Sequence, residues 1–138
     1  MQVKFVAGFA PIVTDPAASR ALYADALGIA LGGEGYPMTD DLPGLKHFGL
    51  WPLSGAAQSC FGRDEWPADL PVPQGSLEFD VESAEAVAAA AAELQAKGHR
   101  LLVGPKTEEW GQTVVRLLSP EGLLVGVTFT PWMHGTES

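Results

Sequence analysis

Glu78 and Arg116 are the charged residues whose settings suggest chemistry. Each lies between apolar neighbours, in Leu77-Glu78-Phe79 and Val115-Arg116-Leu117. On a strand, successive side chains face opposite ways, so a charge in such a run faces either water or an enclosed space. In an enclosed space, a carboxylate is a candidate general base, and a guanidinium is a planar anchor for a polar group. The same pair could instead tie two strands together and do no chemistry. His47 and Trp51 share a second segment, and Trp110 and Gln112 share a third. Indole offers a flat surface for stacking, imidazole carries a proton near neutral pH, and a carboxamide both donates and accepts. Each also has a plainer reading: a solvated or structural histidine, and tryptophans that only pack or anchor a loop.

Other candidates fall away. Cys60 has only Arg63 as a basic sequence neighbour and no nearby histidine, which argues against a nucleophile. Gly32-Gly33-Glu34-Gly35 lacks a following Lys-Ser/Thr and is no phosphate loop. His99 and His134 have no ligand spacing between them, and Asp40-Asp41 reads as a solvated turn.

These residues need elements to hold them, and the chain supplies two similar sets. Val3 to Val13 is apolar and rich in β-branched and aromatic residues, as a strand would be. Asp15-Pro16 then reads as a helix cap with proline at the first helical position. Ala18, Leu22 and Ala26 recur at helical spacing before Gly28. In the second half, residues 76–81 alternate polar and apolar. Ser83 caps a helix with an apolar stripe of Ala84, Val87, Ala88, Ala91 and Leu94, and Gly98 ends it. Short β-like segments follow each helix: 29–36, 45–50 and 58–61, then 100–103, 113–118 and 123–129. Pro67, Pro71 and Pro73 mark the stretch between as a linker. The expected plan is one domain over 1–138: module one about 1–62, linker about 63–74, module two about 75–131 and tail 132–138. Two βαβββ modules would bury their bare sheet faces by curling into an open, partly closed mixed β-barrel of the α+β class. The pocket could form within one chain or across a dimer.

This order resembles the vicinal oxygen chelate superfamily, which includes glyoxalase I, extradiol dioxygenases and bleomycin-resistance proteins. The resemblance rests on Val13-Thr14-Asp15 leading to Ala21-Leu22-Tyr23 and Leu27-Gly28, on residues 77–81, and on Ser119-Pro120-Glu121-Gly122-Leu123-Leu124-Val125. It covers nearly the whole chain. It implies a metal site whose ligand positions fall at Gly8, Ser76, Gly126 and near Ser59. Glycine offers no ligand side chain and serine is a poor one, so the expectation is vacant slots and no metal or other cofactor.

Strand parity puts Ser76, Glu78 and Asp80 inside the barrel, with Leu124, Gly126, Thr128, Arg116, His47, Gly49 and Trp51. The expected ligand-binding set is His47, Trp51, Glu78, Trp110, Gln112 and Arg116, with Glu78 the candidate catalytic residue. Trp66 and Trp132 could cover the barrel or a dimer interface.

Composition narrows the partners. The chain has 138 residues, 46% of them hydrophobic, enough for a sizeable core. A net charge of −9 argues against nucleic acid and anionic membranes. No apolar run would span a bilayer, the N-terminus does not read as a signal peptide, and one cysteine fits a cytoplasmic setting. The leading expectation is a metal-independent binder of a small organic, aromatic or otherwise flat, molecule, acting as a homodimer. The alternative is a glyoxalase- or dioxygenase-like lyase or isomerase, with an atypical metal site or with Glu78 as a metal-free base.

Overall fold

The computed structural model describes residues 1–135; the last residues of the expected tail, 136–138, lie outside the described residues. The first strand, β1 (Phe5–Val13), leads to a helix capped as its sequence suggests: Asp15 Oδ1 accepts from the Ala18 amide at 3.2 Å. That helix, α1, is α-helical over Pro16–Arg20, and π-helical spacing continues over Ala21–Ala26. Gly28, at φ 77°, takes the left-handed turn beyond its end.

The second half follows the same plan more fully. Strand β5 (Gly75–Asp80) is followed by α3 (Ala84–Ala96), whose first turn is capped by Ser83 Oγ accepting from Ala86 at 3.0 Å. Strands β6 (Val103–Thr107), β7 (Thr113–Leu118) and β8 (Leu124–Phe129) complete a βαβββ unit.

The first half is shorter than expected. Residues 29–36 contribute only an isolated bridge, Gly32 to Met38. Strands β2 (Met38–Thr39), β3 (Phe48–Gly49) and β4 (Trp51–Pro52) are two residues each. The expected strand at 58–61 is instead the end of helix α2 (Leu53–Phe61). Read from Leu53 onward, the reason is visible: Ala56, Ala57, Ser59 and Cys60 are buried at helical spacing, and Gly62 closes the helix at φ 73°. Four residues alone were too few to show that period.

The strands form one mixed sheet in the order β2-β3-β1-β5-β8-β7-β6, with β4 also on β1. The two halves meet where β1 and β5 pair antiparallel, with Gly8 opposite Glu78. Within each half the first strand pairs parallel with a later one, Phe9 with Phe48 and Glu78 with Gly126. The end strands β2 and β6 leave the sheet open, consistent with a partly closed barrel.

Packing separates the two sheet faces. Val81, Val115 and Val127 pack on Val87, Ala90 and Ala91 of α3, and Phe48 and Leu50 pack near Tyr23 of α1. On the inner face, Ile12 and Leu124 meet Ala56 and Cys60 of α2. Helix α2 therefore plugs one end of the concave side and leaves the rest open.

Candidate functional site: an aromatic-walled cavity with a sealed polar floor

A cavity of about 450 Å³ lies on the concave face, lined by both halves of the same chain. His47, Trp51, Glu78, Trp110, Gln112 and Arg116 all line it, as do Gly8 and Ser76. Strand alternation accounts for this: odd positions on β7 and β8 feed the α3 core, so Arg116 and Gly126 face inward. The walls also include Trp132, one of the two tryptophans that could cover the barrel, and Phe9, Tyr36, Met38 and Met133, which sequence reasoning did not assign to the site. Trp110 and Trp132 are half-exposed large apolar side chains, so they form the rim. A second, open depression of about 580 Å³ over residues 40–46 has no aromatic walls.

The polar floor is closed on itself. Arg116, 1% exposed, donates from Nη1 to Glu78 Oε2 at 2.9 Å and from Nε to Ser59 Oγ at 2.9 Å. Its Nη2 lies 3.7 Å from Glu108 Oε2, and its Cζ sits over the Trp51 ring, 5.0 Å from the ring centre. Ser59 Oγ in turn donates to Glu108. Gln112 Nε2 donates to Glu78 Oε1 and to Thr130 Oγ1, both at 2.9 Å, while its Oε1 accepts from Trp110 Nε1 at 2.9 Å. Both Glu78 oxygens are thus engaged, which leaves it poorly placed as a free base. Glu108 is buried, and Lys106 sits 3.3 Å away.

Asp80 faces inward but does not line the cavity. Fully buried, it accepts from the hydroxyls of Thr128 and Thr130, from the Thr130 amide and from His134 Nε2 at 2.6–2.9 Å. It thereby fastens the segment that carries Trp132 and Met133. His134, dismissed from sequence as a tail residue, is part of that clasp.

Opposite the floor runs a second polar line. Tyr36 Oη lies 2.5 Å from His47 Nε2, and His47 Nδ1 lies 2.6 Å from Asp40 Oδ1. Asp40 is thus a partner of His47 rather than only a solvated turn. Burial, with the Glu78 charge second, pushes the Tyr36 phenol well above its usual range, and Arg116 partly opposes this. Tyr36 was missed because its segment reads as a strand with no charge pattern. Burial also pushes the Cys60 thiol up to about 11, which keeps it an unreactive thiol.

The metal-slot positions do not fit a metal. A Cβ at Gly8 would lie 2.7 Å from the His47 carbonyl oxygen, so no ligand side chain can start there without moving backbone. A Cβ at Gly126 would lie 3.2 Å from Arg116 Nη1, so a guanidinium already fills that space. The fourth position is displaced from Ser59. The shift that carries the cap Asp15 onto the cap Ser83 carries Ala10 onto Glu78, and hence Gly49 onto Gly126. A Cβ at Gly49 would meet the Tyr36 hydroxyl at 2.5 Å. Among the described residues, no three His, Cys, Asp or Glu side chains are grouped as a metal would need. Among the same residues, no helix is long and apolar enough to cross a membrane.

Similar proteins agree with this architecture. No curated protein matches the sequence. Among solved structures, a Legionella pneumophila protein described as NAD-dependent benzaldehyde dehydrogenase superposes with TM-score 0.60 at 18% identity, covering 88% of this chain and 96% of that one. A glyoxalase/bleomycin resistance protein/dioxygenase superfamily member from Vibrio splendidus gives TM-score 0.56 at 18% identity, covering 94% and 100%. A variant of Streptomyces coelicolor methylmalonyl-CoA epimerase, in complex with 2-nitronate-propionyl-CoA, gives 0.57 at 15%, covering 97% and 99%. At such identities these likenesses show the fold alone. The Glyoxalase family model matches residues 8–127, and the chain therefore belongs to the glyoxalase/bleomycin resistance protein/dioxygenase superfamily.

Proposed function

We propose that this protein binds a small, flat, largely apolar organic molecule in the barrel cavity, without a metal. The observation that carries the reading is the cavity's make-up. Its volume lies in the range of small-molecule sites, and its walls are mostly aromatic and thioether side chains. Its floor, Glu78, Arg116 and Gln112, is internally hydrogen-bonded and nearly charge-balanced. Such a floor favours a neutral ligand held by stacking on Trp51 and Trp110 over a strongly charged one. In this reading His47, Trp51, Glu78, Trp110, Gln112 and Arg116 form the binding set. Gly8, Ser76 and Gly126 are former ligand positions.

The test is a titration with planar neutral aromatics, followed by tryptophan fluorescence. Saturable quenching that disappears in Trp51→Leu is the expected result. A flat response across one- and two-ring compounds would sink the reading. We also expect a homodimer, with Leu22 and Leu27, exposed on the outer helix, in the contact. A monomer in sedimentation equilibrium at micromolar concentration would contradict that.

A further inference from the structure

The polar groups on the cavity wall are not equally available. Glu78, Arg116 and Gln112 satisfy one another, as described above. The Tyr36–His47–Asp40 line is different, because it ends at the cavity on a phenol oxygen with acceptor capacity left. A carboxylate only accepts, so Asp40 fixes the hydrogen of His47 on Nδ1 and leaves Nε2 to accept from Tyr36. Tyr36 therefore holds one proton, has a base behind it, and presents its oxygen toward the pocket.

We propose that Tyr36, backed by His47 and Asp40, is a proton-accepting site for a ligand that carries a weakly acidic hydroxyl on a flat apolar frame, such as a phenol or an enol. This rests on the cavity being the binding site. The step balances within the chain. The ligand O–H bond breaks and its proton joins the Tyr36 oxygen. The proton that Tyr36 held passes to His47 Nε2. The products are a ligand oxyanion and an imidazolium beside Asp40, with no oxidant or metal involved. The high proton affinity of the phenol supports this order, because it makes tyrosinate a poor resting state and Tyr36 a conduit rather than the final acceptor. His47 and Asp40 act through Tyr36 and are positioning residues. The charges around the relay are Asp40 behind it, with Glu78 and Arg116 across the cavity.

The probe is 4-nitrophenol, whose phenolate absorbs in the visible. Binding is read by tryptophan fluorescence and ionisation by absorbance, each across pH. With the relay intact, bound nitrophenol should ionise about one pH unit or more below free nitrophenol, because an imidazolium forms beside it. Burial alone moves the midpoint the other way, so Tyr36→Phe and His47→Gln should raise it above that of the free compound while still quenching fluorescence. Asp40→Asn should give a midpoint between wild type and His47→Gln. Binding with the midpoint raised in wild type would overturn the relay and leave the pocket reading standing. Absence of quenching by nitrophenol alone would overturn this ligand class, whereas absence with every aromatic tested would overturn the pocket as well. If Tyr36→Phe fails to fold, His47→Gln carries the same comparison.

Discussion

Replacing Arg116 by methionine isolates the energetic centre of the floor. Methionine keeps most of the stem volume and removes the guanidinium. Glu78 then loses its Nη1 bond but keeps Gln112, and Glu108 keeps Ser59 and Lys106. Both carboxylates are largely shielded from water, at 18% and 7% exposure, so neither is rescued by solvent. Breaking a buried pair from one side costs about 3–5 kcal/mol, and the surviving partners place this case near the lower end. Against a total of about 5–15 kcal/mol, that is a large fraction. With a urea slope of about 1–3 kcal/mol/M, the unfolding midpoint should fall by about 1–3 M. Adding Glu78→Gln removes one stranded charge and should recover about 1–2 kcal/mol, so the double variant should be more stable than Arg116→Met alone. Equilibrium urea unfolding of wild type, both single variants and the double variant closes the cycle. An Arg116→Met midpoint within experimental scatter of wild type would refute the claim that this ion pair is structurally necessary, as would strictly additive single variants.

Three other perturbations follow from the same contacts. Stability should fall as pH rises from 9.0 toward about 11: Cys60 has a raised folded-state value, so the unfolded chain releases that proton first. The Cys60 part is on the order of 2–3 kcal/mol, Tyr36 adds to the fall in the same direction, and Cys60→Ala should remove the first component from alkaline urea titrations. Gly8→His should destabilise by about 1–3 kcal/mol and create no transition-metal site, because its Cβ meets the His47 carbonyl; a stable variant with stoichiometric zinc by elemental analysis would contradict this. Asp80→Ala should loosen the segment with Trp132 and Met133, costing about 3 kcal/mol and speeding amide exchange at residues 130–134; unchanged exchange there would show that the clasp holds nothing.

The second half of the fold was legible because its signals are long and local. Residues 76–81 alternate cleanly, and the α3 stripe runs for three turns between a serine cap and a glycine. The same parity rule put Glu78, Arg116, His47 and Trp51 on one side, and all four line the cavity. The first half was harder to read because its strands are two residues long and are held by neighbours rather than by their own pattern. Helix α2 hid behind a window too short to show a period. Glu108 gave no signal in the sequence, since only the folded chain brings Ser59 and Arg116 beside it. Tyr36 and Asp40 were invisible as site residues for a related reason. Their partner, His47, is eleven and seven residues away along irregular backbone, where spacing carries no geometric meaning.

The glycines at 49 and 126 explain how the fold can persist with this pair of polar groups. In each half, the first strand lies beside a glycine on its parallel partner, and in each the missing side chain is replaced from the neighbouring segment. In the second half the replacement is Arg116, a cation tethered to the chain, so Glu78 keeps a positive partner without a bound ion. In the first half it is Tyr36, a neutral donor that needs no counter-charge. A guanidinium shares its charge over several donors and has no empty orbital for a substrate oxygen, so it can hold and orient but cannot act as a Lewis acid. On the opposite wall, among the described residues, the proton-carrying chain that lines the cavity with an acceptor still open is Tyr36, His47 and Asp40, which is why the proposed proton transfer is assigned there.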